Sequence, residues 1–329
     1  MTATPWGFRD ILPDEAQARE EIACTVKGCF REHHYLPVET PLLEDKGSLE
    51  EGGRIADTPF KLFDDDGRLL VVRPDNTLPI VRLVSTRMRA ADLPLRLRYE
   101  APVFVSASAM PAARASLHSW ALSLSVRATP RAMSRLSRSW PRRCASWRCP
   151  MRALSQVACV RLRSCSRRAR IASCCRGPAL RARQRLVGLD ARVAASAESD
   201  AVKVAISELP RLHGGAEVLD RVDVLLAAAG IVAPLTSELR ALVEGLAPGD
   251  AQVLSFDFSI MNSFDYYTGL VFKAYAGGLP DPVGSGGRYD SIFTGAFGDG
   301  IEVPAAGFAF SLERLEAACT SAEDAASDG

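Results

Sequence analysis

The stretch from Gln252 to Leu315 decides the fold. It opens with QVLSFDFSI (252–260), in which apolar and polar side chains alternate as a half-buried strand requires. Turn-forming residues follow in MNSFD (261–265), and the next run, YYTGLVFKAY (266–275), is again rich in β-branched and aromatic residues. The two runs together predict an antiparallel hairpin.

Paired glycines and a strand-to-helix junction come after this hairpin. In GSGGRYD (284–290), Gly286 and Gly287 can take a positive φ or allow a ligand to approach closely. PAAGFAFSLERLEAA (304–318) predicts a glycine-containing strand that runs into a helix carrying Arg314. Each of these pieces alone is also typical of an ordinary turn, of core packing or of a solvated helix face.

The N-terminal part of the chain predicts a helix followed by a strand. Pro13 and Asp14 suit the first turn of a helix that runs to about residue 34. One apolar stripe along it consists of Ile22, Val26 and Phe30. The following YLPVETPLLED (35–45) contains two prolines, which suit a sheet edge better than a sheet centre.

A polar segment marks the next junction between a strand and a helix. RPDNT (73–77) lies where a β-rich run ends and a helix from Leu78 to Met88 begins. Asp75 or Thr77 is therefore a candidate N-cap.

In chain order, these segments resemble one protein family. DYYTGLVF, GGRYD and GFAFSLERL resemble the C-terminal half of the catalytic domain of histidyl-tRNA synthetase and of its non-charging relative, the regulatory subunit of ATP phosphoribosyltransferase. GFRDILPDEA resembles the N-terminal signature, YLPVETPLLED motif 1, which builds the dimer interface, and LRLRYEAPVF the first half of motif 2. The resemblance implies an α+β fold, with a class II synthetase-like antiparallel sheet flanked by helices and a helical insertion.

The resemblance also implies a set of site residues. Asp75 and Thr77 match the residues that contact the amino group of bound histidine, where a carboxylate forms a charge-assisted hydrogen bond. Tyr266, Tyr267 and Tyr289 match the walls of the histidine pocket. Arg314 matches the motif 3 arginine that stacks on ATP in the synthetases, so it is a candidate remnant of a nucleotide pocket.

Two departures favour the regulatory subunit over the synthetase. Val105 stands where motif 2 has an arginine that grips the adenylate, and Asn262 stands where a second arginine stabilises negative charge. The chain also ends without a domain to read the anticodon. We therefore expect no catalytic residues, no metal and no cofactor. The alternative is a truncated histidyl-tRNA synthetase catalytic domain with ATP-dependent histidine activation, which Arg314 favours.

The resemblance to the regulatory subunit implies specific partners. Such a subunit forms a homodimer within a hetero-oligomer, where it activates a short-form catalytic subunit in the first step of L-histidine biosynthesis. It relays feedback inhibition by L-histidine, which must bind one state of the complex more tightly than another. The chain has no long apolar run and no signal-peptide pattern, which predicts a cytoplasmic protein without a membrane partner.

The middle of the chain has an unusual composition. From Ala101 to Leu189 there are eighteen Arg and no Asp, Glu or Lys, and six of the nine Cys fall between Cys144 and Cys175. A basic nucleic-acid arm is one interpretation. We favour a segment read out of frame, through a pair of compensating frameshifts or a sequencing error, because arginine-rich arms do not need to exclude lysine. Nucleic acid is then not expected as a partner.

The domain organisation follows from this segment. Residues 1–104 and 251–317 form the two parts of the synthetase-like domain, 187–250 a helical insertion and 318–329 a polar tail. The aberrant part is 105–186. We expect it to be disordered or misfolded, and we expect the sheet to lack its central strands.

Overall fold

A computed structural model describes most of the chain. It covers residues 4, 8–47, 60–88, 94–104, 117–126, 155–160, 182–231, 235–246, 251–259, 267–276, 279–292 and 303–327. Within 117–126, 155–160, 182–187 and 321–327, and at residue 235, the description is of the backbone alone.

Seven helices and twelve strands make up the main elements of the described residues. The helices are α1 Pro13–Glu32, α2 Thr77–Arg87, α3 Ala182–Ala194, α4 Asp200–Glu208, α5 Val218–Ala228, α6 Leu235–Glu244 and α7 Leu312–Ser327. The first six strands are β1 Leu36–Pro37, β2 Leu43–Asp45, β3 Lys61–Phe63, β4 Leu69–Val72, β5 Arg96–Val103 and β6 Leu117–Val126. The others are β7 Ser155–Val160, β8 His213–Gly214, β9 Leu254–Asp257, β10 Leu270–Tyr275, β11 Gly284–Arg288 and β12 Ala305–Ser311.

The strands form one large sheet and one small sheet. The large sheet has the order β1-β5-β6-β12-β11-β10-β7-β9-β8, and the small sheet has the order β2-β4-β3. Neighbouring strands are antiparallel except for the pairs β1/β5 and β7/β9. The predicted α+β class is confirmed, and Pro37 lies in the edge strand β1, where its missing N–H is tolerated.

Two expectations about the sheet are wrong. Strands β6 and β7, which come from the arginine-rich segment, occupy interior positions of the large sheet, so the sheet does not lack its central strands. The residues of 105–186 outside these two strands are not among the described ones, and the expectation of disorder there stays a prediction.

The predicted hairpin between 252–260 and 266–275 also does not form. Strand β9 pairs with β7 and β8, while β10 pairs with β11 and β7, so β7 lies between them. Period-two alternation identifies a half-buried strand but carries no information about its partner. Strand β7, which comes from far earlier in the chain, pairs with β10 where the hairpin prediction placed β9.

Three apolar clusters form the core. The first joins α2 and β5 to the ends of β10 and β11, and the second packs α1 and α7 on the sheet. The predicted stripe of α1 is buried in this second cluster. The third lies within the helical part between 209 and 258 and includes Leu219, Val222 and Phe256. The first cluster positions the candidate site.

Candidate functional site

The candidate site lies where β4 meets α2, facing the ends of β5, β10 and β11. Asp75 lies between β4 and α2, and Thr77 is the first residue of α2. Tyr267 precedes β10 and Tyr289 directly follows β11, and both are buried in the first apolar cluster. The structure therefore brings together four of the residues that the sequence singled out.

Asp75 bonds to the start of α2, and its carboxyl group has a raised pKa. Its Oδ1 accepts a hydrogen bond of 2.7 Å from the backbone N–H of Thr77, the first residue of α2. The N-cap itself is Asn76, so the prediction that Asp75 or Thr77 occupies that position is wrong. Burial raises the pKa of the Asp75 carboxyl above its ordinary value, and hydrogen bonds from the amides of Thr77 and Leu78 oppose this shift only in part. Among the described residues, no cation forms an ion pair with this carboxyl group.

The tyrosines form an aromatic wall around this carboxyl. The ring centroids of Tyr267 and Tyr289 are 6.2 Å apart and the rings meet edge to face at 72°. Burial raises the pKa of Tyr289, and Tyr267 and Asp75 raise it further because a phenolate would lie close to their negative charge. These phenols are therefore neutral hydrogen-bonding groups.

Tyr99 of β5 belongs to the same group, and the sequence analysis missed it. Burial raises the pKa of Tyr99 well above its usual range, and Asp75, Tyr289 and Tyr267 contribute in that order. A signal was present, because β5 has a period-two pattern in which the alternate residues Leu97, Ala101 and Val103 are buried. Tyr99 shares their face and could have been placed toward the site.

Arg73 holds together two backbone segments next to the site. Its guanidinium donates to the backbone carbonyl oxygens of Thr40 at 2.8 Å, of Pro41 at 3.0 Å and of Pro102 at 3.0 Å. Burial lowers the pKa of Arg73. Because these carbonyls hold the guanidinium, it ties the chain before β2 to the end of β5.

A short relay continues from Arg73 to Asn76. The Thr40 hydroxyl accepts from Arg73 at 3.0 Å and donates to Oδ1 of Asn76 at 2.7 Å. Asn76 is 2% exposed, and its Nδ2 has no hydrogen-bond partner among the described residues. The relay fixes the orientation of this amide, since the Thr40 hydroxyl has one proton to give.

Gly287 allows the aromatic wall to close. A Cβ at this position would lie 2.6 Å from Cδ1 of Tyr267 and 2.7 Å from the carbonyl oxygen of Leu270. Neither Gly286 nor Gly287 is among the glycines with positive φ. Of the two roles predicted for these glycines, a positive φ is thus not adopted, and the atoms that approach Gly287 closely in the structure belong to the protein.

Asp290, the last residue of GGRYD, has a structural role. One carboxylate oxygen accepts from Nε of Arg288 at 2.7 Å and the other from the backbone N–H of Ala305 at 2.8 Å. The Thr268 hydroxyl accepts from the Asp290 N–H at 3.0 Å. These bonds hold the segment around Tyr289 between β10 and β12.

Arg314 does not join this group. Its guanidinium donates to the carbonyl oxygen of Pro282 at 2.6 Å and lies 3.9 Å from the Asp281 carboxylate. The α7 residues Leu312 and Leu315 belong to the second apolar cluster, not to the one that holds the tyrosines. Tyr266, Val105 and Asn262 are not among the described residues.

The arrangement suits a ligand that carries an ammonium group. The Asp75 carboxylate, which pairs with no cation in the described part of the chain, would gain a partner, and phenols can orient a polar ring. No group of three or more His, Cys, Asp or Glu in the described part of the chain could hold a metal. Within the same part, no helix is both long and apolar enough to cross a membrane.

We expect the buried carboxyl to make stability depend on pH. Because the pKa of Asp75 is raised above 3.8 in the folded chain, the folded state holds this proton more tightly than the unfolded state. Its stabilising contribution is complete below 3.8 and is lost as the pH rises through the raised value. Urea unfolding of the wild type and of Asp75→Asn should therefore diverge with rising pH, the variant becoming relatively more stable. Parallel pH profiles would refute this.

Comparison with known proteins agrees with the described fold. The chain matches the family model for histidyl-tRNA synthetase over residues 7–118 and 174–315. A solved structure described as an ATP phosphoribosyltransferase regulatory subunit/histidyl-tRNA synthetase from Bacillus halodurans has a TM-score of 0.79 at 24% identity, covering 97% of this chain and 83% of that one. The histidyl-tRNA synthetase of Nostoc sp. PCC 7120 gives 0.72 at 17% identity, covering 98% and 76%. The fold is thus that of the histidyl-tRNA synthetase-like class II proteins.

Proteins of similar sequence identify one family within this class. A protein of Rubrobacter xylanophilus named ATP phosphoribosyltransferase regulatory subunit is 35% identical, over 96% of this chain and 76% of its own length. A protein of the same name from Desulfitobacterium hafniense is 32% identical, over 97% and 83%. The chain belongs to the family of ATP phosphoribosyltransferase regulatory subunits.

Proposed function

We propose that this chain is a non-catalytic regulatory subunit of ATP phosphoribosyltransferase. In this role it activates a short-form catalytic subunit in the first step of L-histidine biosynthesis, in the cytoplasm, and relays feedback inhibition by L-histidine. The observation that carries the proposal is the 35% identity to a relative of that name over nearly the whole chain. The test is the rate of the catalytic subunit with and without this chain.

The geometry around Asp75 supports L-histidine as the effector. The α-ammonium of the ligand would pair with the Asp75 carboxylate, and Thr77, Tyr267 and Tyr289 would surround it, with Tyr266 as a further proposed contact. Pairing with a cation favours the ionised carboxyl, so histidine affinity should increase as the pH rises through the raised pKa of Asp75.

A synthetase fragment is the second candidate. The description of the matching family model and the presence of Arg314 favour it. Against it, Arg314 is engaged with Pro282 and Asp281, away from the tyrosines. Histidine-dependent exchange of pyrophosphate into ATP separates the two candidates, because a regulatory subunit produces none.

The small sheet supports self-association. Leu43 lies opposite Val72, and Leu70 lies between Leu62 and Asp45, so four apolar side chains and the carboxylate of Asp45 share one face of the sheet. Leu43 is 39% exposed and Leu62 is 44% exposed. The other face holds the buried Glu44 and Val71. We propose that a second copy of the chain covers the apolar face.

We expect Leu62→Lys to weaken this dimer by about tenfold or more, because a charge would be buried at the centre of the interface (about 1.4 kcal/mol). Sedimentation equilibrium measures the change. Val224, which is 69% exposed on α5, provides the control, and Val224→Lys should leave the dimer unchanged. Equal effects of both variants would refute this interface.

We also propose that residues 105–186 are an out-of-frame segment. The family match covers 105–118 and 174–186 at the two ends of this segment and is interrupted between them, from 119 to 173. On this proposal the chain lacks the in-frame residues of the segment, and its histidine affinity is weakened or abolished. Calorimetric titration showing ordinary tight binding would contradict it.

A further inference from the structure

The composition of residues 105–186 follows one position of the codon. Asp, Glu, Lys, Asn and Tyr are all absent there, and every codon for these amino acids has A in the second position. Arg, Ser, Ala, Cys, Pro and Trp predominate, and their codons have G or C in the second position. In a GC-rich gene the third position is the most biased toward G and C, because synonymous codons differ mainly there. The second nucleotide of each translated codon in this segment therefore shows the G and C bias that is expected of a third nucleotide.

This bias also fixes the direction of the displacement. The translated codons are those that give the present sequence, and the true codons are those of the original gene. If each true codon begins one nucleotide before the translated codon, the third nucleotide of the true codon becomes the second nucleotide of the translated one. The other displaced frame would place the biased nucleotide first and would exclude Ser, Cys and Trp, whose codons begin with A or T. The segment contains 14 Ser, six Cys and three of the four Trp, which is more than the 19 residues whose codons have A or T in the second position, so the bias lies at the second position and not at the first.

We infer that one nucleotide is missing between the codons of Phe104 and Val105, and that every codon from there to residue 186 is read one nucleotide late. The inference rests on the proposed out-of-frame segment and gives its start, its direction and its content. The restored codon 105 consists of the missing nucleotide followed by GT, the start of the Val105 codon. A missing C yields CGT, which encodes arginine.

The restored β6 can be read from the code. The last G of the Trp120 codon and the GC of the Ala121 codon give GGC, so position 121 becomes glycine for every codon choice. Position 120 becomes apolar in every case. With CAC for His118 and AGC for Ser119, position 119 becomes CAG, which encodes glutamine. With AGC for Ser123, position 123 becomes glutamate, glutamine or lysine.

The register of β6 gives these positions a place in the site. Ala121 is paired with Tyr99 and Ser119 with Ala101. Paired positions of antiparallel strands lie on the same face, so positions 119 and 121 share the face of β5 that carries Tyr99. By the same alternation, position 123 lies on this face, next to the shift in strand register between Arg96 and Arg98. With the codons given above, the restored strand thus places a glycine opposite Tyr99 and an amide at the next position on the same face.

The nucleotide sequence of codons 105–186 tests the inference directly. Read one nucleotide earlier, it should be open throughout and encode Gln-Leu-Gly at positions 119–121. A stop codon in that frame would overturn the inference. A TCN codon for Ser119, which replaces the glutamine with leucine or phenylalanine, would also overturn it.

Binding by the repaired chain is the second test. The repaired gene gains a C after codon 104 and returns to the present frame before codon 187. In calorimetric titration the repaired protein should bind L-histidine at least about tenfold more tightly than the present chain, and leucine at position 119 should remove most of that gain. Equal affinities of the repaired and present chains would overturn the inference. Tight binding without any effect on the catalytic subunit would instead refute the proposed function and leave the frame inference intact.

Discussion

Replacing Arg82 by methionine is expected to lower the free energy of unfolding by about 2–3 kcal/mol, because it removes both hydrogen bonds that this cation donates to a buried carboxylate and leaves that carboxylate to the weaker attraction of Arg73. Glu44 of β2 is 5% exposed and is held by two hydrogen bonds from Arg82 of α2, at 2.8 Å and 3.1 Å. Arg82 is itself partly exposed, which allows water to reach the carboxylate and keeps the expected loss in this range. Urea unfolding provides the measurement.

Two further variants make this prediction specific. The double variant Glu44→Gln with Arg82→Met should recover part of the loss, because the buried charge is then removed. Arg240 forms ion pairs with Asp220 and Asp223 on the surface, and Arg240→Met should cost no more than about 1 kcal/mol. A loss for Arg82→Met no larger than for Arg240→Met would contradict the account of the small sheet.

Replacing Gly287 by alanine is expected to cost at least about 2 kcal/mol, because the new Cβ overlaps atoms that cannot all move away. One of these atoms is the Leu270 carbonyl oxygen of β10, at 2.7 Å, which belongs to the sheet backbone. The other close neighbour is the ring of Tyr267, at 2.6 Å. The ring must turn away, and the wall of the candidate site is then disturbed.

Gly28 provides the matched control for this variant. A Cβ at Gly28, inside α1, meets no atom within 4 Å. Gly28→Ala should therefore raise the free energy of unfolding by about 0.5–1 kcal/mol, since alanine loses less backbone freedom in a helix. In the repaired chain, Gly287→Ala should also weaken histidine binding and Gly28→Ala should not. Wild-type stability of Gly287→Ala would show that the wall is not closed as described.

The sequence predicts where helices and strands lie better than it predicts which strands pair with one another. The alternation in 252–260 identifies β9, and the apolar stripe of α1 identifies its buried face, because both patterns are local. The pairing of β9 with β7 depends on a distant strand whose own composition carries no such pattern. Propensity arguments cannot supply that information.

The same division holds for the candidate site. The polar residues at the end of β4 predict a side-chain bond to the start of α2, and Asp75 forms one from the position before the N-cap Asn76. The alternation of β5 places Tyr99 on its buried face, but alternation does not show that this face meets Tyr267 and Tyr289. The resemblance suggests a nucleotide-pocket remnant at Arg314, which bonds to Pro282 beside the second apolar cluster.

The most direct test of the account is a rate measurement on the catalytic subunit. The short-form catalytic subunit from the same genome is assayed for transfer of a phosphoribosyl group to ATP, alone and with the present or the repaired chain. The account predicts that the repaired chain raises the rate several-fold and that L-histidine reverses the increase. An unchanged rate at saturating concentrations of the repaired chain, together with histidine-dependent pyrophosphate exchange by that chain, would contradict it.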